Sequence, residues 1–300
     1  RVLDMLRSDP EVNIPVWHDD QQGTATVILA GLLNALRMVG KRIEDIQVAI
    51  IGVGAANVAT LRLLLASGVD FGNVIAVDSS GILHPDREDI EARKTEFVDK
   101  WRICQRSNAG GRRGGVPDAM RGADVCIAAS KPGPGTIKPE WVAGMAEDAV
   151  IFACANPIPE IWPWEAKDAG ARIVGTGRSD FPNQINNSLG FPAIFRGVLD
   201  VRATTITDEM AIAAARALAT YQRDRVFDED HLLPTMGDWE VFPREAAAVG
   251  MRAQEQGVAR LELTYDELLN KAKETIQQAQ DMTRFLMEKE IIPPVPEEWV

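Results

Sequence analysis

The sequence predicts an α/β protein with a doubly wound, mostly parallel sheet, helices on both faces and a helical C-terminal extension. Two observations support this fold class. Short apolar runs that stop at a glycine or a turn recur along the first two thirds of the chain, and several lead into a helical pattern. After Thr207 the pattern becomes continuously helical.

The first βα unit has the clearest pattern. Residues 47–51 predict a buried parallel strand, Gly52 and Gly54 a turn, and residues 55–66 a helix that ends at Ser67-Gly68. Four later apolar runs predict further strands of the same sheet: 74–77, 125–129, 150–155 and 172–175. A polar, glycine-rich stretch at 106–115 favours a mobile surface loop over a basic flap above a phosphate.

Capping signals mark the C-terminal helices. Thr207 is typical of a helix start, and Thr264 with Glu267 forms a capping box. A helical apolar stripe follows the box and predicts core or subunit packing: Leu268, Ala272, Ile276, Ala279 and Phe285. The prolines of the tail predict a segment that wraps an existing surface: Pro293, Pro294 and Pro296.

Composition and charge exclude several classes of protein. The 300 residues are 46% hydrophobic, which is enough to bury a core, and 32 basic against 44 acidic residues give a net charge of −12. This charge argues against nucleic acid and anionic membranes as partners. The apolar run at 25–36 is short for a membrane span, and three widely spaced cysteines favour a reducing cytoplasm.

The glycine turn carries the first candidate chemistry. Gly52, Val53, Gly54, Ala55 and Ala56 lie between a strand and a helix, where backbone N–H groups can bind a pyrophosphate. At the end of the next predicted strand, Asp78 can accept hydrogen bonds from an adenosine ribose. Its carboxylate would repel a 2′-phosphate and therefore favours NAD, whereas nearby Arg87 would also allow NADP. A purely structural glycine turn is the alternative.

Two adjacent carboxylates precede a helix that is predicted to begin near Thr24. Asp19 and Asp20 follow His18 and could supply an oxygen ligand to Mg²⁺ or Mn²⁺. N-capping of the helix explains these carboxylates equally well. A single aspartate also does not make a metal site.

Amide side chains follow two of the predicted strands, in segments 155–160 and 177–187. Asn156 and Asn187 would therefore lie at the carboxyl edge of the sheet, where ligands bind in doubly wound folds. Asparagine can donate to a carboxylate without adding charge. Turn-forming Asn-Pro and Asx motifs remain the alternative.

Taken together, six segments resemble the malic enzyme family in its shorter prokaryotic form. They are IPVWHDDQQGTA, IIGVGAAN, VDSSGILHPDRED, ACANPIPEI, GTGRSDFPNQINNSLGFPAIFRGVLDVRA and DEMAIAAARALA. The resemblance runs in order from Ile14 to Ala219, and GRSDFPNQINN is its most specific part. It implies NAD(P)-dependent oxidative decarboxylation of malate to pyruvate and CO2 with a divalent metal, in a homodimer or larger assembly.

The resemblance also implies roles for individual residues. Asp20 matches a metal ligand, and Asp19 an acidic neighbour of the catalytic lysine. The turn 52–56 matches the phosphate-binding turn, and Asp78 the ribose carboxylate. Asn156 and Asn187 match side chains that contact malate near the nicotinamide, and Asn186 and Ser130 match neighbours of the cofactor. Asn57 and Lys131 depart from the family pattern.

The resemblance divides the chain into three parts. Residues 1–23 match the end of a substrate and metal domain, 24–225 the NAD(P)-binding domain and 226–300 a helical extension. In the family, the base lysine, the tyrosine acid and a Glu-Asp pair of metal ligands precede the His18 motif, where this sequence has none of them. We therefore expect the 300-residue chain to show essentially no turnover with malate, Mn²⁺ and NAD.

Two other functions remain open from the sequence. A different dehydrogenase, such as an amino-acid dehydrogenase, would explain the glycine turn but needs a substrate lysine that the sequence does not place. A non-catalytic nucleotide-binding module is the second alternative.

Overall fold

The computed structural model describes residues 2–9 and 11–293. Among these residues, six strands and twelve α-helices alternate along most of the chain. The strands are β1 Val48–Ile51, β2 Val74–Asp78, β3 Gly81–Ile82, β4 Val125–Ala128, β5 Val150–Ala153 and β6 Ile173–Thr176. The helices are α1 Val2–Ser8, α2 Thr24–Val39, α3 Ala55–Ala66, α4 Glu88–Glu91, α5 Val98–Arg106, α6 Val116–Met120, α7 Pro139–Val142, α8 Pro163–Asp168, α9 Phe191–Asp200, α10 Asp208–Arg223, α11 Val241–Glu255 and α12 Tyr265–Glu288.

The strands form one sheet in the order β3-β2-β1-β4-β5-β6. All neighbouring pairs are parallel except β2 and β3. Strand order reverses between β1 and β4, so the crevice beyond the end of β1 is where ligands bind in open α/β sheets. This architecture confirms the predicted fold class.

The predicted strands agree with the structure to within two residues at each end. The sequence missed β3, a two-residue strand that pairs antiparallel with the end of β2. A strand of this length has no apolar run to reveal it. The predicted helix at 55–66 coincides with α3.

Apolar side chains cover both faces of the sheet. In β1, Val48 and Ile50 belong to one buried cluster with α2, α3 and α10, while Ala49 and Ile51 belong to another with α6, α7 and α8. Because both faces are buried, the strand is continuously apolar rather than alternating.

Helix α2 runs through the core. A π-helical turn at Asp19–Gly23 precedes it, so the continuous helical segment spans residues 19–39, longer than the apolar run at 25–36. By length and composition alone this segment could cross a membrane, but 72% of its most apolar window is buried inside the protein. A core helix has the same properties.

The predicted caps of the C-terminal helices are confirmed. Thr207 Oγ1 accepts a hydrogen bond from the Met210 amide at the start of α10, and Thr264 with Glu267 forms the capping box of α12. The predicted apolar stripe of α12 is only partly in the core. Leu268 and Ala272 are the two buried residues of α12, whereas Phe285 is 53% exposed.

The polar stretch at 106–115 is anchored to the body of the protein at several points. The amide of Asn108 donates to the Val74 carbonyl, and the Asn108 side chain is buried. Arg112 donates to Gln47 Oε1 and to two backbone carbonyls of the α6 region. Residues 109–111 are exposed, as expected of a surface loop, but Ser107 and Asn108 are buried and Arg112 is partly buried. The expectation of a mobile surface loop is therefore wrong for these three residues, which hydrogen bonds hold against the body of the protein. Pro294 and Pro296 lie outside the described residues.

Candidate functional site

The turn between β1 and α3 has the geometry of a phosphate-binding turn. Gly52 has φ +88°, and a Cβ there would lie 2.8 Å from the Ala129 carbonyl oxygen. Gly54 is the N-cap of α3, has no side chain to cap the helix, and leaves open space where a Cβ would be. The first N–H groups of α3 therefore face an unobstructed approach, which suits a pyrophosphate.

Asn57 departs from the usual small residue without obstructing this turn. Its side chain is buried, and Nδ2 donates to the carbonyls of Ile51 at 3.0 Å and Gly52 at 2.8 Å. Asn57 thus ties the end of β1 to the first turn of α3. The departure from the family pattern has a structural role beneath the turn.

A cavity of about 770 Å³ lies beside the turn. Its walls include Gly54 and Ala55 of the turn, Gln21 of the π-helical turn and residues 95–100 before and within α5. This volume is within the range of small-molecule and cofactor sites. Together with the uncapped start of α3, the cavity fits a dinucleotide.

Asp78 lies at the carboxyl end of β2, as predicted, but its carboxylate is already engaged. Arg87 contacts it at 3.1 and 3.3 Å, Lys100 Nζ at 3.0 Å and the Ser80 amide at 3.0 Å. Burial raises the pKa of Asp78, but the hydrogen bonds from Arg87 and Lys100 outweigh it, so the pKa lies below its usual value. The carboxylate is ionised and its charge is offset by two cations.

The amides after β5 and β6 meet at Gly177. A Cβ on Gly177 would lie 3.1 Å from Asn156 Nδ2, and Asn186 Nδ2 donates to the Gly177 carbonyl at 3.2 Å. Asn186 Oδ1 also accepts from the Ser188 amide, so its side chain mainly holds the loop. Asn156 is exposed and makes no side-chain hydrogen bond with a described residue, which leaves its amide available to a ligand.

Glu160, for which the sequence predicted no role, organises the ends of β4 and β5. Its side chain is fully buried, and Oε1 accepts from Ser130 N at 2.8 Å and Ser130 Oγ at 3.0 Å. Its other oxygen accepts from the Ala155 amide at 3.1 Å. Glu160 therefore fixes Ser130 and the segment that carries Asn156. The one signal in the sequence that could have indicated a buried carboxylate is the position of Glu160 directly before the apolar Ile161.

Asp19 joins the N-terminal segment to the loop after β6. Its carboxylate accepts hydrogen bonds from Trp17 Nε1 at 3.3 Å and from Asn187 Nδ2. A Cβ on Gly23 would overlap this carboxylate, so only glycine permits the contact. Burial raises the pKa of Asp19, and the two hydrogen bonds oppose the shift only in part. Asp19 therefore orients Asn187 and does not cap α2.

Asp20 is exposed on the same π-helical turn. Residues 2–9 and 11–293 contain no group of three histidine, cysteine, aspartate or glutamate side chains placed to hold a metal. The donor set is therefore incomplete in the described chain. Asp20 would supply one ligand at most.

Glu245, another residue for which the sequence predicted no role, is a buried carboxyl behind the loop that carries Asn187. Glu245 is fully buried in α11, and neither carboxyl oxygen has a hydrogen-bond partner among the described residues. A Cβ on Gly190, where the loop enters α9, would lie 3.7 Å from Glu245 Oε1. Burial raises the pKa of Glu245 well above its usual value of 4.5.

This shift predicts how stability depends on pH. The folded state holds the proton of Glu245 more tightly than the unfolded state, so its contribution to stability is lost as pH rises from 4.5 toward the folded pKa. The loss is about 1.4 kcal/mol for each pH unit in that window. We expect Glu245→Gln, which does not ionise, to gain stability relative to wild type over the same window.

Urea unfolding between pH 4.5 and 8 measures the effect. Glu274→Gln, at an exposed position of α12, is the matched control and should follow the wild-type curve. Parallel curves for Glu245→Gln and wild type would show that Glu245 ionises normally.

The glycine turn, the adjoining cavity and the amides at the carboxyl ends of the strands define a Rossmann-type dinucleotide-binding domain. The family described as "Malic enzyme, NAD binding domain" matches residues 21–253. This chain belongs to the malic enzyme family.

Curated relatives and a solved structure agree with this assignment. The chain is 46% identical over 254 residues to an NAD-dependent malic enzyme of Geobacillus stearothermophilus, covering 85% of this chain and 51% of that protein. It is 41% identical over 268 residues to an NADP-dependent malic enzyme of Halomonas elongata, covering 83% and 60%. The crystal structure of Entamoeba histolytica malic enzyme matches with a TM-score of 0.95 at 48% identity, covering 99% of this chain and 60% of that one. The chain thus spans between half and two thirds of these relatives.

Proposed function

We propose that this chain is the nucleotide-binding part of an enzyme that oxidatively decarboxylates malate to pyruvate and CO2, with NAD or NADP as the oxidant. The observation that carries the proposal is the open N-terminus of α3 at Gly54 beside the cavity, in a chain of the malic enzyme family. The bound nicotinamide would supply the hydride acceptor.

The described side chains would bind and orient the diacid. Asn156 has a free amide, and Asn187 keeps one N–H and its carbonyl oxygen after donating to Asp19. Both are neutral, so they can bind substrate carboxylates without adding charge beside the hydride transfer. Asp19 acts as a positioning residue that fixes the rotamer of Asn187.

The charges around Asp78 bear on the choice of nucleotide. The sequence favoured NAD because a free carboxylate would repel a 2′-phosphate. Arg87 and Lys100 offset that charge, and Lys100 also lines the cavity. We therefore propose that the site accepts NADP as well as NAD, since a cation near the ribose can accommodate the 2′-phosphate.

The proposal has three further parts: a metal ligand, an assembly and a location. Asp20 would contribute one ligand to Mg²⁺ or Mn²⁺. Exposed apolar side chains of α12, such as Met282 and Phe285, suit packing in a homodimer or larger assembly. Three unpaired cysteines fit a cytoplasmic location.

Gly54→Ala tests the nucleotide site. A Cβ at Gly54 meets nothing within 4 Å and the residue is not in a positive-φ conformation, so the fold should be unchanged. The methyl group would nevertheless occupy the approach to the α3 N–H groups. We expect NAD and NADP affinities to fall about tenfold or more, as one or two charge-assisted hydrogen bonds are lost.

Titration of the intrinsic fluorescence of the seven tryptophans measures both affinities. Gly110→Ala, also in open space, is the control and should bind like wild type. Unchanged nucleotide affinity in Gly54→Ala, or no binding by wild type, would contradict the proposed site.

A further inference from the structure

A second groove lies between α10, α11 and the first residue of α12. Its volume is about 410 Å³, and small side chains form much of its floor, among them Ala213, Ala217 and Ala248. None of its lining residues borders the cavity at the glycine turn. The groove is large enough for a small ligand and is separate from the nucleotide site.

The groove is positively charged in a chain whose net charge is −12. Arg216 of α10 and Arg244 and Arg252 of α11 line it, with Glu255 as the one lining carboxylate. Glu255 pairs with Arg252 at 2.8 Å. Within the described part of the chain, neither Arg216 nor Arg244 makes an ion pair, although acidic residues are in excess. Two guanidinium groups from facing helices are therefore available.

Tyr221, whose buried hydroxyl has no hydrogen-bond partner among the described residues, lines the same groove. The side chain of Tyr221 is 2% exposed, and its hydroxyl makes no hydrogen bond with any described residue. The guanidinium of Arg244 lies 5.3 Å from the ring centroid, and that of Arg225, which pairs with Glu240, lies 4.5 Å from it. Burial raises the pKa of Tyr221, so the hydroxyl is a donor that lacks an acceptor.

We propose that this groove is a binding site for a small phosphate-bearing anion, held by Arg216 and Arg244 and accepting a hydrogen bond from the Tyr221 hydroxyl. Guanidinium groups bind phosphate oxygens in a bidentate manner, and a phosphate has enough oxygens for all three donors. The hydroxyl is shielded from water, so in this proposal the exposed Arg244 side chain, which lies over the Tyr221 ring, moves aside when the anion binds. The ligand would relieve the cost of the unsatisfied hydroxyl.

Thermal unfolding of the full chain in increasing inorganic phosphate, at ionic strength held constant with NaCl, tests the site. We expect a saturable rise in the unfolding midpoint. Arg216→Gln and Arg244→Gln should each weaken the apparent affinity for phosphate about tenfold. Arg37→Gln, at an exposed position of α2, is the matched control and should respond like wild type.

Tyr221→Phe separates ligand binding from packing. Without phosphate the variant should be at least as stable as wild type, because it loses only an unsatisfied hydroxyl. With phosphate it should gain less stability than wild type. A variant that is destabilised without phosphate and responds normally to it would overturn the role of Tyr221.

Phosphate could also bind at the glycine turn, so Gly54→Ala is measured in parallel. A response lost in Gly54→Ala but kept in Arg244→Gln would place phosphate at the nucleotide site and overturn the proposal. A response that does not saturate would also overturn it. Tighter binding of succinate than of phosphate would exclude phosphate as the ligand class.

Discussion

Gly52→Ala is expected to lower the free energy of unfolding by about 3–4 kcal/mol and to abolish binding of NAD and NADP. The residue has φ +88°, a conformation that costs an alanine about 1–3 kcal/mol. The added Cβ would also lie 2.8 Å from the Ala129 carbonyl and 2.9 Å from Ser130 Cβ. Because β4 is held in the sheet on both sides, these atoms have little room to move.

Urea unfolding and nucleotide titration measure the two effects of Gly52→Ala. Gly54→Ala separates them, since it should weaken nucleotide binding without changing stability. Equal stability of Gly52→Ala and wild type would contradict the prediction, because it would mean that the turn relaxes to accommodate the added Cβ.

Glu160→Ala is expected to lower the free energy of unfolding by about 3–5 kcal/mol. The substitution removes the acceptor of three hydrogen bonds, two of them from backbone amides at Ser130 and Ala155. Each amide left unsatisfied costs about 1–3 kcal/mol, and the lost side chain leaves a cavity. The affinity for NAD should fall as well, because Glu160 holds the two segments that border the proposed ligand site.

Glu140→Ala is the matched control for Glu160→Ala, because Glu140 is exposed in α7 and its loss should cost little. Glu160→Gln keeps the shape and one acceptor oxygen, so it should recover part of the stability. If Glu160→Gln were as unstable as Glu160→Ala, the loss of stability would come from losing the negative charge of Glu160 rather than its hydrogen-bond geometry.

The sequence predicted those parts of the fold whose signals are local. The apolar run before Gly52, the helix from Ala55 and the caps at Thr207 and Thr264 depend on neighbours within a few residues. Position at the strand ends also predicted that Asn156 and Asn187 would share one edge of the sheet. In contrast, the sequence did not predict that the Asp78 carboxylate pairs with Lys100. Lys100 is 22 residues away and contacts Asp78 only once α5 packs beside the sheet.

The amino-acid sequence alone thus determined the doubly wound sheet, the glycine turn at the start of α3 and the family, because each resides in a short, ordered pattern of residue types. Tertiary structure decided which polar groups are paired. Asp19 holds Asn187 across 168 residues, Glu160 holds Ser130 across 30, and Glu245 is buried without a partner. Such pairings follow from how strands and helices pack in space, and the free energy of a buried charge depends on neighbours that no local pattern specifies.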